Sequence, residues 1–193
     1  MKYYLYIFFS SFFLFSCNSG DVPTPKPRGY FRIEFPEKQY QAFNHNLPYR
    51  FEFPVYGKMY PDSSKSAREA WYNLAFPQFN ARLHISYYDI SAEKEFNQLT
   101  EDSRKLAFKH TVKATGIDEA LIRNPSENVY GIYYTISGNT ASSLQFFLTD
   151  SSKHFLRGAL YFNEQPKQDS IQPVLQFLKT DMDHMIKTFQ WKD

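Results

Sequence analysis

The chain has one cysteine, Cys17, so no internal disulfide can staple its fold. Whatever it folds into must stand on packing and hydrogen bonding alone. Cys17 also closes a distinctive N-terminal stretch. Lys2 supplies a positive start, and residues 3–15 then run without a charge, broken only by Ser10 and Ser11. A charged start, a short apolar run and a small residue (Ser16) before the cut are the layout of an export signal. The apolar run is about 13 residues long, too short for a spanning helix, which needs about 20.

Leu14-Phe15-Ser16-Cys17 resembles the bacterial lipobox, in which the cysteine is lipidated and the signal is cut before it. Phe15 is its one departure, being bulkier than the usual residue there. A buried small hydrophobe is the bland alternative for Cys17, but the sequence after it is loop-like. The other alternative is an uncleaved signal anchor. Residues 1–16 are therefore expected to be a lipoprotein signal peptide and Cys17 the lipidation site. Two or more acyl chains would anchor the mature chain without spanning the bilayer.

Residues 18–29 carry three prolines among polar residues, and nothing apolar recurs. This composition predicts a semi-rigid extended spacer. The predicted organisation is a signal over 1–16, a lipidated cysteine and Pro-rich tether over 17–29, and one α+β domain over 30–193. The net charge of +2 gives no field that favours nucleic acid or a polybasic membrane contact. Twenty Phe and 15 Tyr against 7 Gly suggest well-covered sheets, ahead of an aromatic contact surface.

Alternating bulky and charged residues predict strands over 30–35, stopped by Pro36, and over 49–53, stopped by Pro54. A short strand and turn over 56–62 and strands over 71–76 and 82–88 follow, the last two joined by a turn over 77–80. Phe96, Leu99, Leu106 and His110 share one helical stripe. Glu93 and Glu95 sit in its first turn, Lys105, Lys109 and Lys113 crowd its end, and Gly116 is a natural stop. The predicted helix runs over 91–115, its lysines forming a solvated basic ridge. Residues 129–136, 142–148 and 154–162 predict an antiparallel meander through turns at 137–140 and 150–153. Apolar residues on both strand faces call for cover on both sides. Ile171, Val174, Leu175, Leu178, Met182, Met185, Ile186 and Phe189 define a final helix, capped by Asp169 with Pro173 in its first turn. The predicted fold is α+β: a largely antiparallel sheet sandwiched by two amphipathic helices.

Chemistry is sparse. There is no Gly-rich phosphate loop, Cys-x-x-Cys or His-Glu-x-x-His motif. His45, His84, His110, His154 and His184 are too far apart in sequence to encode a local metal site. No cofactor, metal or catalytic residue is expected. Asp150, Ser151 and His154 have the residue types of a hydrolytic triad, but one tight turn cannot easily set nucleophile, base and orienter. The turn reading is preferred. Glu101 and Lys105 make a favourable i, i+4 pair beside Asp102 and Arg104. Arg157 is odder, lying in an apolar strand. It reads as a carboxylate's partner, a contact residue, or a simple edge or snorkelling arginine.

The chain resembles the gliding-motility lipoprotein GldD family of Bacteroidota. The matching stretches are residues 25–33, 101–103, 109–110, 129–131, 138–142, 145–151, 154–162 and 169–171. The resemblance implies an accessory lipoprotein of the gliding machinery, coupled to the type IX secretion apparatus and facing the periplasm from the inner or outer membrane. It carries over no catalytic residue, only Cys17. The single acid in residues 18–21 fits a periplasmic face better than surface export. The strand–helix order also looks like that of PsbP or Mog1-type domains, a fold analogy only.

The leading expectation is a membrane-anchored, non-enzymatic component that binds other machinery proteins and no nucleic acid. The alternative is a periplasmic lipoprotein that binds a small molecule or glycan through its aromatics. A hydrolase built on Ser151 and His154 is a third reading.

Overall fold

The architecture comes from a computed structural model that describes residues 32–163 and 168–192, together with the side chains of these except 168 and 169. The signal, Cys17, the Pro-rich tether, Tyr30 and Phe31 lie outside the described residues. The chain order is β1 (Tyr40–Phe43), β2 (Tyr49–Pro54), β3 (Lys58–Pro61), β4 (Tyr72–Phe76), β5 (Ala81–Asp89), α1 (Glu93–Phe108) and β6 (Ala114–Asn124). Then come β7 (Val129–Gly138), β8 (Ser142–Thr149), β9 (His154–Phe162), α2 (Gln168–Lys187) and β10 (Gln190–Trp191). Seven strands form one sheet in the order β3-β4-β5-β9-β8-β7-β6, and β1-β2-β10 form a smaller one. Every pairing is antiparallel.

The strand period of two sorts side chains onto two faces. Leu83, Ile85, Leu144, Phe146, Leu148, Leu156 and Leu160 meet Leu175, Leu178, Met182 and Met185 of α2 on one face. Tyr134, Ile136, Phe147 and Phe155 meet Ala107, Phe96, Leu99 and Phe108 of α1 on the other. The sheet is thus covered on both sides, and every residue of β8 is buried. The small sheet adds Phe43, Tyr49, Phe51 and Phe53 to the α2 core. Tyr49 stacks on Phe51 and on Phe189, with ring centres 6.0 and 6.1 Å apart. Much of the aromatic surplus is therefore core. Each ring buried contributes on the order of 2 kcal/mol.

Turn residues close the hairpins. Asn80 at φ 47° ends the 3-10 turn Pro77–Phe79, and Asn128 at φ 52° ends Pro125–Glu127. Gly138 at φ 104° ends β7, where a Cβ would meet the Lys113 carbonyl.

Four expectations need correction. Residues 32–35 form no strand: Phe35 stacks on Phe177 of α2, ring centres 4.4 Å apart, and the first strand is β1. The middle helix stops at Phe108, followed by the 3-10 turn Lys109–Val112, so Gly116 lies within β6 and stops nothing. Sequence reading missed β6 altogether, because this edge strand is largely exposed and lacks clean alternation. Asp169 lies inside the first turn of α2 and Pro173 beyond it, so Asp169 does not precede the helix as a cap. Among the described residues, no helix is long and apolar enough to cross a membrane.

Candidate functional site

The Asp150 turn is held by its own backbone. Asp150 Oδ1 accepts the N–H groups of Ser152, Lys153 and His154 at 2.8–2.9 Å. Ser151, at φ 66°, donates its N–H to Thr149 Oγ1. His154 Nδ1 instead meets the Tyr87 hydroxyl at 2.6 Å, and that hydroxyl donates to Asp89 Oδ1. Trp191 stacks on the His154 ring. Asp150 shapes the turn, as the turn reading expected, and His154 is committed to Tyr87.

The other histidines stay apart. His45 packs on Phe43 and His84 on Tyr161. His110 follows α1, and His184 bonds Glu52 at 2.7 Å while stacking on Tyr40. Among the described residues, no three His, Cys, Asp or Glu side chains are grouped to hold a metal.

Arg157 lies on β9, between β5 and β8, and so is interior to the sheet. It shares with Phe155 the face that α1 covers, and both line a cleft of about 380 Å³ with Tyr88, Leu99, Ser103, Lys105 and Lys109. Its guanidinium donates to Gln145 Oε1. No carboxylate pairs with it among the described residues; its electrostatic neighbours are the hydroxyls of Tyr161, Tyr88 and Tyr134. Burial pulls its pKa down. Of the sequence-level alternatives, the carboxylate pair and the sheet-edge arginine are excluded.

A second cluster went unpredicted. Asp181 is fully buried on α2 and accepts from Lys38 Nζ at 2.7 Å, Tyr40 Oη at 3.1 Å and Tyr56 Oη. Lys38 Nζ also lies 3.2 Å from the Phe177 ring centre and donates to the Phe177 carbonyl. Burial lowers the Lys38 pKa despite Asp181, and pushes the Tyr40 hydroxyl up to about 12. The signal was present in the sequence: Asp181 stands beside Leu178, Met182 and Met185 on an otherwise apolar stripe. A cleft of about 680 Å³ beside β6 and α2 is lined by one aromatic, Tyr133, with Lys179, Asp183 and Arg123 among its polar groups.

The third feature is an edge. β6 pairs with β7 on one side and ends the seven-stranded sheet. Leu121 at its middle is 87% exposed, flanked by exposed Glu119 and Arg123.

These features define a helix-flanked antiparallel α+β domain without disulfides, bearing a cationic cleft and an open sheet edge. The family of the gliding motility lipoprotein GldD matches residues 20–191, and the chain belongs to that family. Cys17 precedes the matched range. Among curated proteins none matches the chain. Among solved structures, the solution structure of cyanobacterial PsbP (CyanoP) from Synechocystis sp. PCC 6803 is similar at a TM-score of 0.47 and 9% identity. That likeness covers 84% of this chain and 98% of that one, and nothing about activity follows from it.

Proposed function

We propose that the protein is a membrane-tethered, non-enzymatic component of the gliding machinery and of the type IX secretion apparatus coupled to it. A lipid on Cys17 holds it, the Pro-rich segment spaces its domain from the bilayer, and the domain works in the periplasm by contact with partner proteins. The observation that carries the contact reading is the open β6 edge, where an eleven-residue strand presents unpaired backbone groups around exposed Leu121. Such an edge is a template for strand addition by a partner. The non-enzymatic reading is supported by the commitment of His154 to Tyr87 and of Asp150 to its turn.

Gene deletion followed by re-expression tests this. Deletion should abolish spreading and impair secretion. Wild-type protein should restore both, and Cys17→Ala and Leu121→Lys should not. Normal spreading and secretion in the deletion strain would sink the reading. Full motility from a soluble Cys17→Ala chain would remove the anchor from the mechanism.

A further inference from the structure

A buried arginine without a counter-ion is costly, because taking a charge out of water costs several kcal/mol unless a partner compensates. Arg157 is half-buried on the α1-covered face, and no carboxylate pairs with it among the described residues, so part of that cost applies. Its hydrogen-bond partners are neutral, the Gln145 amide oxygen and the Tyr161 hydroxyl. The first turns attention to the rest of the amide. Gln145 is 1% exposed and its Nε2 has no hydrogen-bond partner among the described residues. Tyr134, directly opposite Gln145 in the β7–β8 register, is also 1% exposed, and its hydroxyl has no hydrogen-bond partner among the described residues. A guanidinium, an amide N–H₂ and a phenol O–H therefore gather on one sheet face, all able to donate.

The surrounding charge has the same sign. Lys105 and Lys109 of α1 line the cleft with Arg157, and the charge of Arg157 reaches His110 and His84. Asp102 is the one acid lining the cleft, and it accepts from Gln98 at 2.8 Å. Lys105 has Glu101 at 3.6 Å, an exposed and weak pair. A cleft of about 380 Å³ falls within the size range of small-molecule sites. A cleft lined by a guanidinium and two ammonium groups, with a single acid, is complementary to an acceptor that carries negative charge, since charge-assisted bonds to oxyanions are the strong ones.

We propose that the cleft between α1 and β9 binds a small oxyanion, a carboxylate or a phosphate, through the Arg157 guanidinium, with Gln145 as its buried neighbour and Lys105 and Lys109 supplying further positive charge. The site is independent of the β6 edge, which lies at the far side of β8 and β7. Partner binding at the edge and anion binding in the cleft can therefore fail separately.

The test uses the full-length lipoprotein in a non-ionic detergent, with unfolding followed by tryptophan fluorescence. Inorganic phosphate and acetate are titrated separately against chloride at constant ionic strength, which tells a phosphate site from a carboxylate site. The proposal expects a saturable rise in Tm of a few degrees for one of them. In Arg157→Gln the apparent affinity should weaken about tenfold or more. Should that variant fail to fold, the exposed pair Lys105→Gln and Lys109→Gln decides the matter, with an affinity loss of several-fold expected. A lack of any saturable shift on the order of 10 mM anion overturns the proposal. So does a shift that is unchanged in Arg157→Gln, or, where that variant does not fold, unchanged in the double lysine variant.

Discussion

Lys38 and Asp181 form an ion pair of 2.7 Å across 143 residues of sequence, joining the segment before β1 to the last helix. Asp181 has no access to solvent, and the Tyr40 and Tyr56 hydroxyls share its carboxylate. Truncating it leaves an ammonium and two phenols without their acceptor. Asp181→Ala should cost about 3–5 kcal/mol in urea unfolding. Adding Lys38→Met to Asp181→Leu should restore part of that, because the orphaned charge is then gone. A loss below about 1 kcal/mol for Asp181→Ala would mean that the cluster contributes little.

Stability should fall as the pH drops through 6.5. Burial, aided by Arg157, holds His110 below that ordinary value. Burial and then Arg82 do the same for His84, with Asp62 opposing. Between the lowered folded values and 6.5 the unfolded chain binds more protons, so acid favours unfolding. The check is the Tm of wild type against a His84→Gln, His110→Gln chain from pH 8 to about pH 5. The double variant should show a flatter decline, and an identical slope would contradict the assignment.

Gly158 faces Phe146 across the β8–β9 ladder, with the ring lying over the glycine. A methyl group there enters the ring's space, so Gly158→Ala should destabilise by about 1–3 kcal/mol. Pairing it with Phe146→Leu should recover some of the loss, a coupling that a double-mutant cycle measures.

The β6 edge gives a prediction with no stability component. Leu121→Lys should leave unfolding within about 0.5 kcal/mol of wild type, since the side chain packs on little. A photo-crosslinker at 121 should capture a partner in intact cells, whereas one at exposed Lys58 on the opposite edge strand should not. Equal capture at both positions would remove β6 as the contact.

What the sequence made legible follows from period and punctuation. The stripe from Ile171 to Phe189 has one geometry that buries it. The turns at Gly138 and Asp150 fix a meander whose both-faced apolar strands required two covering helices. These are local rules, and the chain obeys them. The failures lie where local pattern and tertiary demand part. Residues 32–35 alternate like a strand, yet Phe35 finds Phe177 and Phe79 instead of a neighbouring strand. β6 carries no readable strand signal because an edge strand need bury few side chains, and its backbone pairing with β7 leaves no mark in composition.

The candidate site divides in the same way. Arg157 was conspicuous as a charge in an apolar strand, but its environment was not readable. Whether such an arginine meets a carboxylate depends on which strands lie beside it. The order β5-β9-β8 gave it Gln145 and tyrosines instead. Asp181 stood beside an apolar stripe without a visible partner, because Lys38 lies 143 residues away.

The sequence by itself determined the absence of an internal disulfide, the α+β class and the meander with its covering helices, since each depends on composition or on residues close together in the chain. Only the tertiary structure decided that Lys38 is fastened to Asp181, that β6 is left as an open edge and that Arg157 lies in a cleft with no carboxylate paired to it among the described residues. Those outcomes depend on strand order and on side chains far apart in sequence, and burial, which decides the energy of each charge, exists only once the chain has closed around it.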